Sequence, residues 1–183
     1  MRVSLFVEHP VPRPWSATSE QRVFSESLEQ LALADQVGFH GVWVTEHHFQ
    51  EEYSHSSAPE MFLAALSQRT TNLRLGHGIV HMPPAINHPA RVAERIAALD
   101  LLSNGRVEFG TGEASSMAEL GGFNFDPGLK RPMWREGLEV AIEDRDAGCA
   151  ARLDGFGCAE HEVSHAEEVV EGQLCRVTPR HDA

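Results

Sequence analysis

Gly41-Val42-Trp43-Val44-Thr45-Glu46-His47-His48-Phe49 sets three consecutive apolar residues just ahead of an acidic residue and a pair of histidines. An apolar run of this length reads as a strand buried on both faces, as parallel strands between helices are. The polar residues beyond it read as loop chemistry, because parallel α/β folds collect their active groups past the carboxyl ends of the strands. The pattern recurs on either side. Residues 3–7 form an apolar strand that Pro10, Pro12 and Pro14 cannot continue. Residues 73–80 make a third strand despite Gly76 and Gly78, with His77 and His81 flanking its end. Residues 106–110 make a fourth, followed by Glu113, Ser115 and Ser116.

Helical signals fill the intervals. Thr18 and Gln21 have capping-box spacing, and Phe24, Leu28, Leu31 and Ala32 recur at helical intervals until Gly38. Ser57 and Glu60 repeat that spacing ahead of Phe62, Leu63 and Leu66. Asn87 is the expected cap of a third helix, with Pro89 in its first turn, Val92, Ile96 and Leu99 on its apolar face and Gly105 as its stop. Pro132, Trp134, Leu138 and Ile142 mark a fourth. Four consecutive strand–helix units imply an α/β fold with a parallel sheet, either open and doubly wound or part of an eight-unit barrel.

Composition narrows the partners. The 183 residues carry a formal charge of −12, and Lys130 is the sole lysine, which argues against nucleic acid and anionic membranes. Neither a membrane-length apolar run nor the layout of a signal peptide is present, so a cytoplasmic protein is expected. Cys149, Cys158 and Cys175 lack framework spacing and fit a reducing compartment.

Several blocks, taken in order, resemble one enzyme family. Glu46-His47-His48-Phe49 follows an apolar strand; His88-Pro89-Ala90-Arg91 with Ala93-Glu94 comes next. Asp100 and Ser103-Asn104-Gly105-Arg106 then lead into Phe109-Gly110-Thr111-Gly112. This series, from Met1 to about Ile142, resembles the bacterial luciferase-like flavin-dependent monooxygenases. The resemblance implies a partial (β/α)8 TIM barrel of about four N-terminal units. It also implies reduced FMN as cofactor, with the deazaflavin F420 as the alternative, and O2 plus a small organic molecule as co-substrates. A flavin reductase is the expected supplier of reduced cofactor.

Some blocks need no chemistry. His88-Pro89 is explained as a helix start, and Ser103-Asn104-Gly105-Arg106 as a helix stop in which Asn104 and Gly105 take positive φ. Gly78 is different, because glycine weakens a strand unless backbone or ligand comes close, and the resemblance places this strand end against the flavin. Within the family match His47 is the expected catalytic residue, and His48 is as readily a core residue as a functional one. An imidazole titrating near neutrality can manage the one proton that flavin–oxygen chemistry must control, with Glu46 expected to orient the ring or raise its pKa. Gly112, Glu113 and Ser115 are expected to meet the flavin or substrate. Glu113 stands where the luciferase pattern has a phosphate-binding arginine, so neutral serine and backbone donors would have to serve instead.

No metal is expected. Eleven histidines are many for this length, but the first strand ends Val7-Glu8-His9 and lacks the paired-histidine signature of barrel hydrolases. Adjacent His47 and His48 cannot easily aim both rings at one ion, and Cys158, His161, His165 and Cys175 lack compact zinc spacing.

The pattern fades after Ile142. Residues 1–142 are expected to form the half-barrel and residues 143–183 a divergent tail, disordered or frame-shifted, with only residues 167–171 locally helical. A full barrel needs about 250 residues, so the chain reads as truncated. Two classes of function follow: a flavin-dependent oxidoreductase completed by a missing half or by homo-oligomerisation, or a non-catalytic remnant acting as an association module. A half-barrel with bare edge strands is expected to bind FMN weakly or not at all.

Overall fold

The computed structural model describes residues 2–114, 116–143 and 173–174. Strands β1 (Ser4–Val7), β2 (Gly41–Val44), β3 (Arg74–His77) and β5 (Val107–Glu108) form a parallel sheet in sequential order. Helices α1 (Ser19–Gln36), α2 (Pro59–Ser67) and α3 (Pro89–Ser103) connect them, and α5 (Lys130–Glu143) packs on α3. This is the expected strand order of a partial barrel.

The register explains which face is covered. Leu5, Val42, Leu75 and Val107 lie in one row across the sheet and pack into the core with Leu31, Leu63, Leu66, Ile96 and Leu99 from the helices. Phe6, Trp43, Gly76 and Glu108 form the alternate row on the opposite face. On that face Phe6 of β1 is 60% exposed and Trp43 of β2 is half-buried, so the second strand is not fully buried on both faces as its composition suggested. Gly76 gives the Trp43 indole its place, since a Cβ there would stand 2.4 Å from the ring.

The third and fourth strands are each broken. β3 stops at His77, the Gly78–Ile79 peptide is cis, and β4 (Val80–His81) continues beyond it. β6 (Gly110–Gly112) likewise continues past Phe109, and β4 and β6 pair parallel with each other. The outer edge of β6 is not bare, because β7 (Gln173–Leu174) pairs antiparallel to it. The remaining tail residues, with the three cysteines, the Cys158–Cys175 cluster and residues 167–171, lie outside the described residues.

Helix stops match expectation, as does Pro89 in the first turn of α3, but the expected capping side chains do not cap. Gly38 has φ +89 after α1, and Asn104 and Gly105 take φ of 56 and 76 after α3. Arg106 then acts structurally, donating to the backbone oxygens of Ser67, Leu73 and Ser103 and so tying α2 and α3 to the sheet. Thr18 caps α1 without a side-chain hydrogen bond, and Ala58, not Ser57, is the cap of α2. His88, not Asn87, caps α3, because the Asn87 amide is engaged in a buried network described below. Among the described residues no helix is long and apolar enough to cross a membrane.

Candidate active site

The groups expected to be functional converge beyond the carboxyl ends of β1, β2 and β4, where short loops turn the chain away from the sheet. Glu46 and His47 are adjacent, so the extended backbone sends their side chains opposite ways. His47 stands between two carboxylates: Nδ1 is 3.0 Å from Glu119 Oε1 and Nε2 is 3.4 Å from Glu8 Oε2. Tyr53 meets the ring edge-on and donates its hydroxyl to Glu8, while Thr45 Oγ1 donates to the other Glu8 oxygen. Burial alone would push the His47 imidazole down, but hydrogen bonds to Glu119 and Glu8 and their charges outweigh it and raise the pKa to about 9. The ring is therefore an imidazolium at neutral pH, not the half-titrated group expected from its type.

Glu119 is the residue that sequence reasoning missed. Its carboxylate is fully buried yet satisfied: Oε1 accepts from the His48 N–H and faces His47 Nδ1, and Oε2 accepts from the Ser116 N–H and hydroxyl. Burial would raise its pKa, but these donors, His47 first, lower it to about 2. The short helix α4 (Met117–Gly122) holds it there through a reciprocal capping box in which Ser116 Oγ accepts from the Glu119 N–H. The signal was in the sequence, since Ser116 and Glu119 share the spacing credited to Thr18–Gln21 and Ser57–Glu60. Of the three, only this box forms.

Glu46 does not orient His47. Its Oε1 accepts from Asn87 Nδ2 at 2.8 Å and lies 2.8 Å from His48 Nε2, and its Oε2 accepts from the His81 N–H at 3.0 Å. Burial pushes this carboxyl up, but the His48 hydrogen bond and the neighbouring His81 more than offset it, holding Glu46 below its ordinary value. The Asn87 amide also donates to the His81 carbonyl and accepts from Arg95, whose other arm pairs with Glu60. Glu46 is thus a hub joining β2, β4 and α3.

Of the expected cofactor-binding residues, Gly78 and Gly112 lie on the third and fourth strands, where Gly112 is in register with His81, three residues beyond Gly78. Gly78 lies against Phe6 and Trp43, each 3.1 Å from where its Cβ would stand, and Gly112 makes room for the Ile79 side chain. Glu113 is nearly buried, with Oε2 3.8 Å from Lys130 Nζ. Its carboxylate is therefore faced by a cation on α5. Ser115 lies outside the described residues.

The sequence profile of the luciferase-like monooxygenases matches residues 1–142. The chain belongs to the luciferase-like monooxygenase family. It is 35% identical over 151 residues to limonene 1,2-monooxygenase of Rhodococcus erythropolis, covering 80% of this chain and 38% of that protein. It is 37% identical over 113 residues to 4-hydroxyprotoasukamycin monooxygenase of Streptomyces nodosus subsp. asukaensis, covering 62% of this chain and 30% of that one. Among solved structures, a monooxygenase from Streptomyces bottropensis superposes with a TM-score of 0.70 at 30% identity, covering 98% of this chain and 50% of its own. The oxygenating constituent of 3,6-diketocamphane monooxygenase from Pseudomonas putida, solved with FMN, shares the fold at a TM-score of 0.69 and 24% identity. The chain thus spans about half the length of these structures and a little over a third of limonene 1,2-monooxygenase.

Proposed function

We propose that this chain carries the proton-handling half of a flavin-dependent monooxygenase acting on a small organic substrate with O2 and reduced FMN. The deazaflavin F420 is the alternative cofactor, and a flavin reductase is the partner that supplies reduced FMN. The observation that carries the reading is His47, held on both ring nitrogens by carboxylates at the carboxyl ends of parallel strands, where this fold places its chemistry. The face beside it suits a flat aromatic ring: Phe6 is exposed, Trp43 is half-buried, and Gly76 and Gly78 keep the floor low. These residues fit an isoalloxazine, and Lys130 is the cation nearest Glu113 for an anionic group.

A bound reduced flavin would supply the redox step with oxygen, which no side chain can. The protein's share is to position, to exclude water and to hold a proton. His47 Nε2 holds that proton facing Glu8, Glu119 fixes the ring through Nδ1, and Phe49 and Phe123 pack together beyond His48. Gly122 makes room for the Phe49 ring, since a Cβ there would stand 2.2 Å from it.

The test has two parts. Titrating the purified chain with oxidised and reduced FMN should show weak or no binding, and micromolar stoichiometric binding would show that this half alone builds a phosphate site. In a chimera completed with the remaining strand–helix units of a relative, His47→Ala should lower substrate oxygenation by about 100-fold or more with little change in flavin affinity. Equal loss of both would make His47 structural.

A further inference from the structure

Glu46, His48 and His81 bring one carboxylate oxygen and two imidazole nitrogens within 4.8 Å of one another. Glu46 Oε1 lies 2.8 Å from His48 Nε2 and 3.9 Å from His81 Nδ1. The second of these nitrogens is the unusual one. His81 is 2% exposed, and its Nδ1 makes no hydrogen bond, so a buried lone pair or N–H is left without a partner beside a carboxylate. Leaving such a group unmet costs folding free energy, which a ligand at that point would recover.

We infer that Glu46 Oε1, His48 Nε2 and His81 Nδ1 form a binding site for one divalent transition-metal ion of the zinc, cobalt or nickel kind. Tetrahedral ligands about 2.0–2.1 Å from such an ion stand roughly 3.4 Å apart. The observed 2.8 and 3.9 Å bracket that spacing and the two imidazole nitrogens lie within 4.8 Å of each other, so side-chain shifts of about an ångström bring the three donors to one centre. Metal binding uses the Nε2 lone pair, so His48 would take the tautomer that carries its single N–H on Nδ1.

Outer support is already built. Asn87 Nδ2 donates to Glu46 Oε1 and the His81 N–H donates to Oε2, which fix the carboxylate from behind as second partners of metal ligands do. The edge of His48 is packed against Phe123 at 4.9 Å between ring centroids. Two imidazoles and one carboxylate select a borderline transition metal over calcium or magnesium, which want oxygen ligands. The three donors leave a coordination position for solvent. His47 is not among them: its nitrogens are engaged by Glu8 and Glu119. The site would staple the loop after β2 to β4, and so stabilise the fold by mass action.

The test uses chelator-stripped full-length chain with its cysteines alkylated, titrated with Co2+ and followed by visible absorption and thermal unfolding. One ion per chain at micromolar affinity is expected, with the intense bands of four- or five-fold coordination and a Tm raised by several degrees. Millimolar Mg2+ should not displace it. His48→Gln and His81→Gln should each weaken binding at least tenfold, whereas His88→Gln, at the exposed start of α3, should not. Because His81→Gln can disturb the core, the unmutated Co2+ protein provides a second measurement: its proton NMR spectrum should show two exchangeable imidazole N–H signals shifted outside the diamagnetic range. No binding, binding indifferent to both substitutions, or fewer than two shifted N–H signals would overturn the site; in the first case a water is left to serve His81 Nδ1.

Discussion

His9 and His47 follow neighbouring parallel strands, yet their surroundings drive the same imidazole in opposite directions. His9 is stacked on Phe24 at 4.5 Å and met edge-on by Phe62 at 4.4 Å, and neither ring nitrogen has a hydrogen-bond partner. Burial pushes its pKa down to about 4, with Glu8 opposing only weakly. His47, against two carboxylates, is raised to about 9. Charge at neutral pH is therefore decided by what the ring touches, not by residue type or by position after a strand.

The largest effect should come from removing the carboxylate that most separates the two histidines. Glu119→Ala leaves the His48 N–H, the Ser116 donors and His47 Nδ1 without their acceptor, and should cost about 3 kcal/mol or more in chemical denaturation. In chelator-treated protein His47 should then titrate below its value in the parent by histidine NMR. An unchanged titration would assign its high pKa to Glu8 alone.

The pH dependence of stability should show both histidines with opposite sign. For His9 the folded-state value lies below 6.5, so its contribution is intact above pH 6.5 and is lost as pH falls towards about 4. That loss is on the order of 3 kcal/mol, and His77, lowered to about 4 by complete burial, adds to the same limb. His9→Leu should flatten the acid limb, measured by urea midpoints between pH 4 and 7; an acid limb as steep as the parent's would show that His9 takes no part. For His47 the folded-state value lies above 6.5, so its contribution is complete below pH 6.5 and fades as pH rises through about 9. Glu119→Gln should reduce that alkaline loss.

A smaller effect separates two readings of Asn87. If its work is to bridge Glu46, the His81 carbonyl and Arg95, Asn87→Ser should cost about 1–2 kcal/mol. Were it a helix cap, serine would replace it at almost no cost. Thermal unfolding of the single variant decides between them.

Most of the fold was legible. Apolar runs ending in polar clusters gave four strands, and glycines at positive φ gave the helix stops, because both are local: a pleat needs alternating or continuous apolar residues, and a left-handed turn needs a residue free of Cβ strain. The family blocks around residues 46–49 and 103–112 could be read for the same reason. Helix starts were less legible, since a capping side chain competes with any other partner that tertiary contact offers, as Asn87 does with Glu46.

The sequence by itself determined the parallel order of strands, the helix stops and the placing of Glu46, His47 and His48 beyond a strand end. Only the tertiary structure decided which carboxylate meets which histidine. Glu46 is adjacent to His47 and turns away from it, whereas Glu119 arrives from 72 residues on and Glu8 from the neighbouring strand's end. Adjacent residues on an extended chain point to opposite sides, so proximity in sequence works against contact. Charge pairing across a site is set by where separate loops are brought together, which local propensity does not encode.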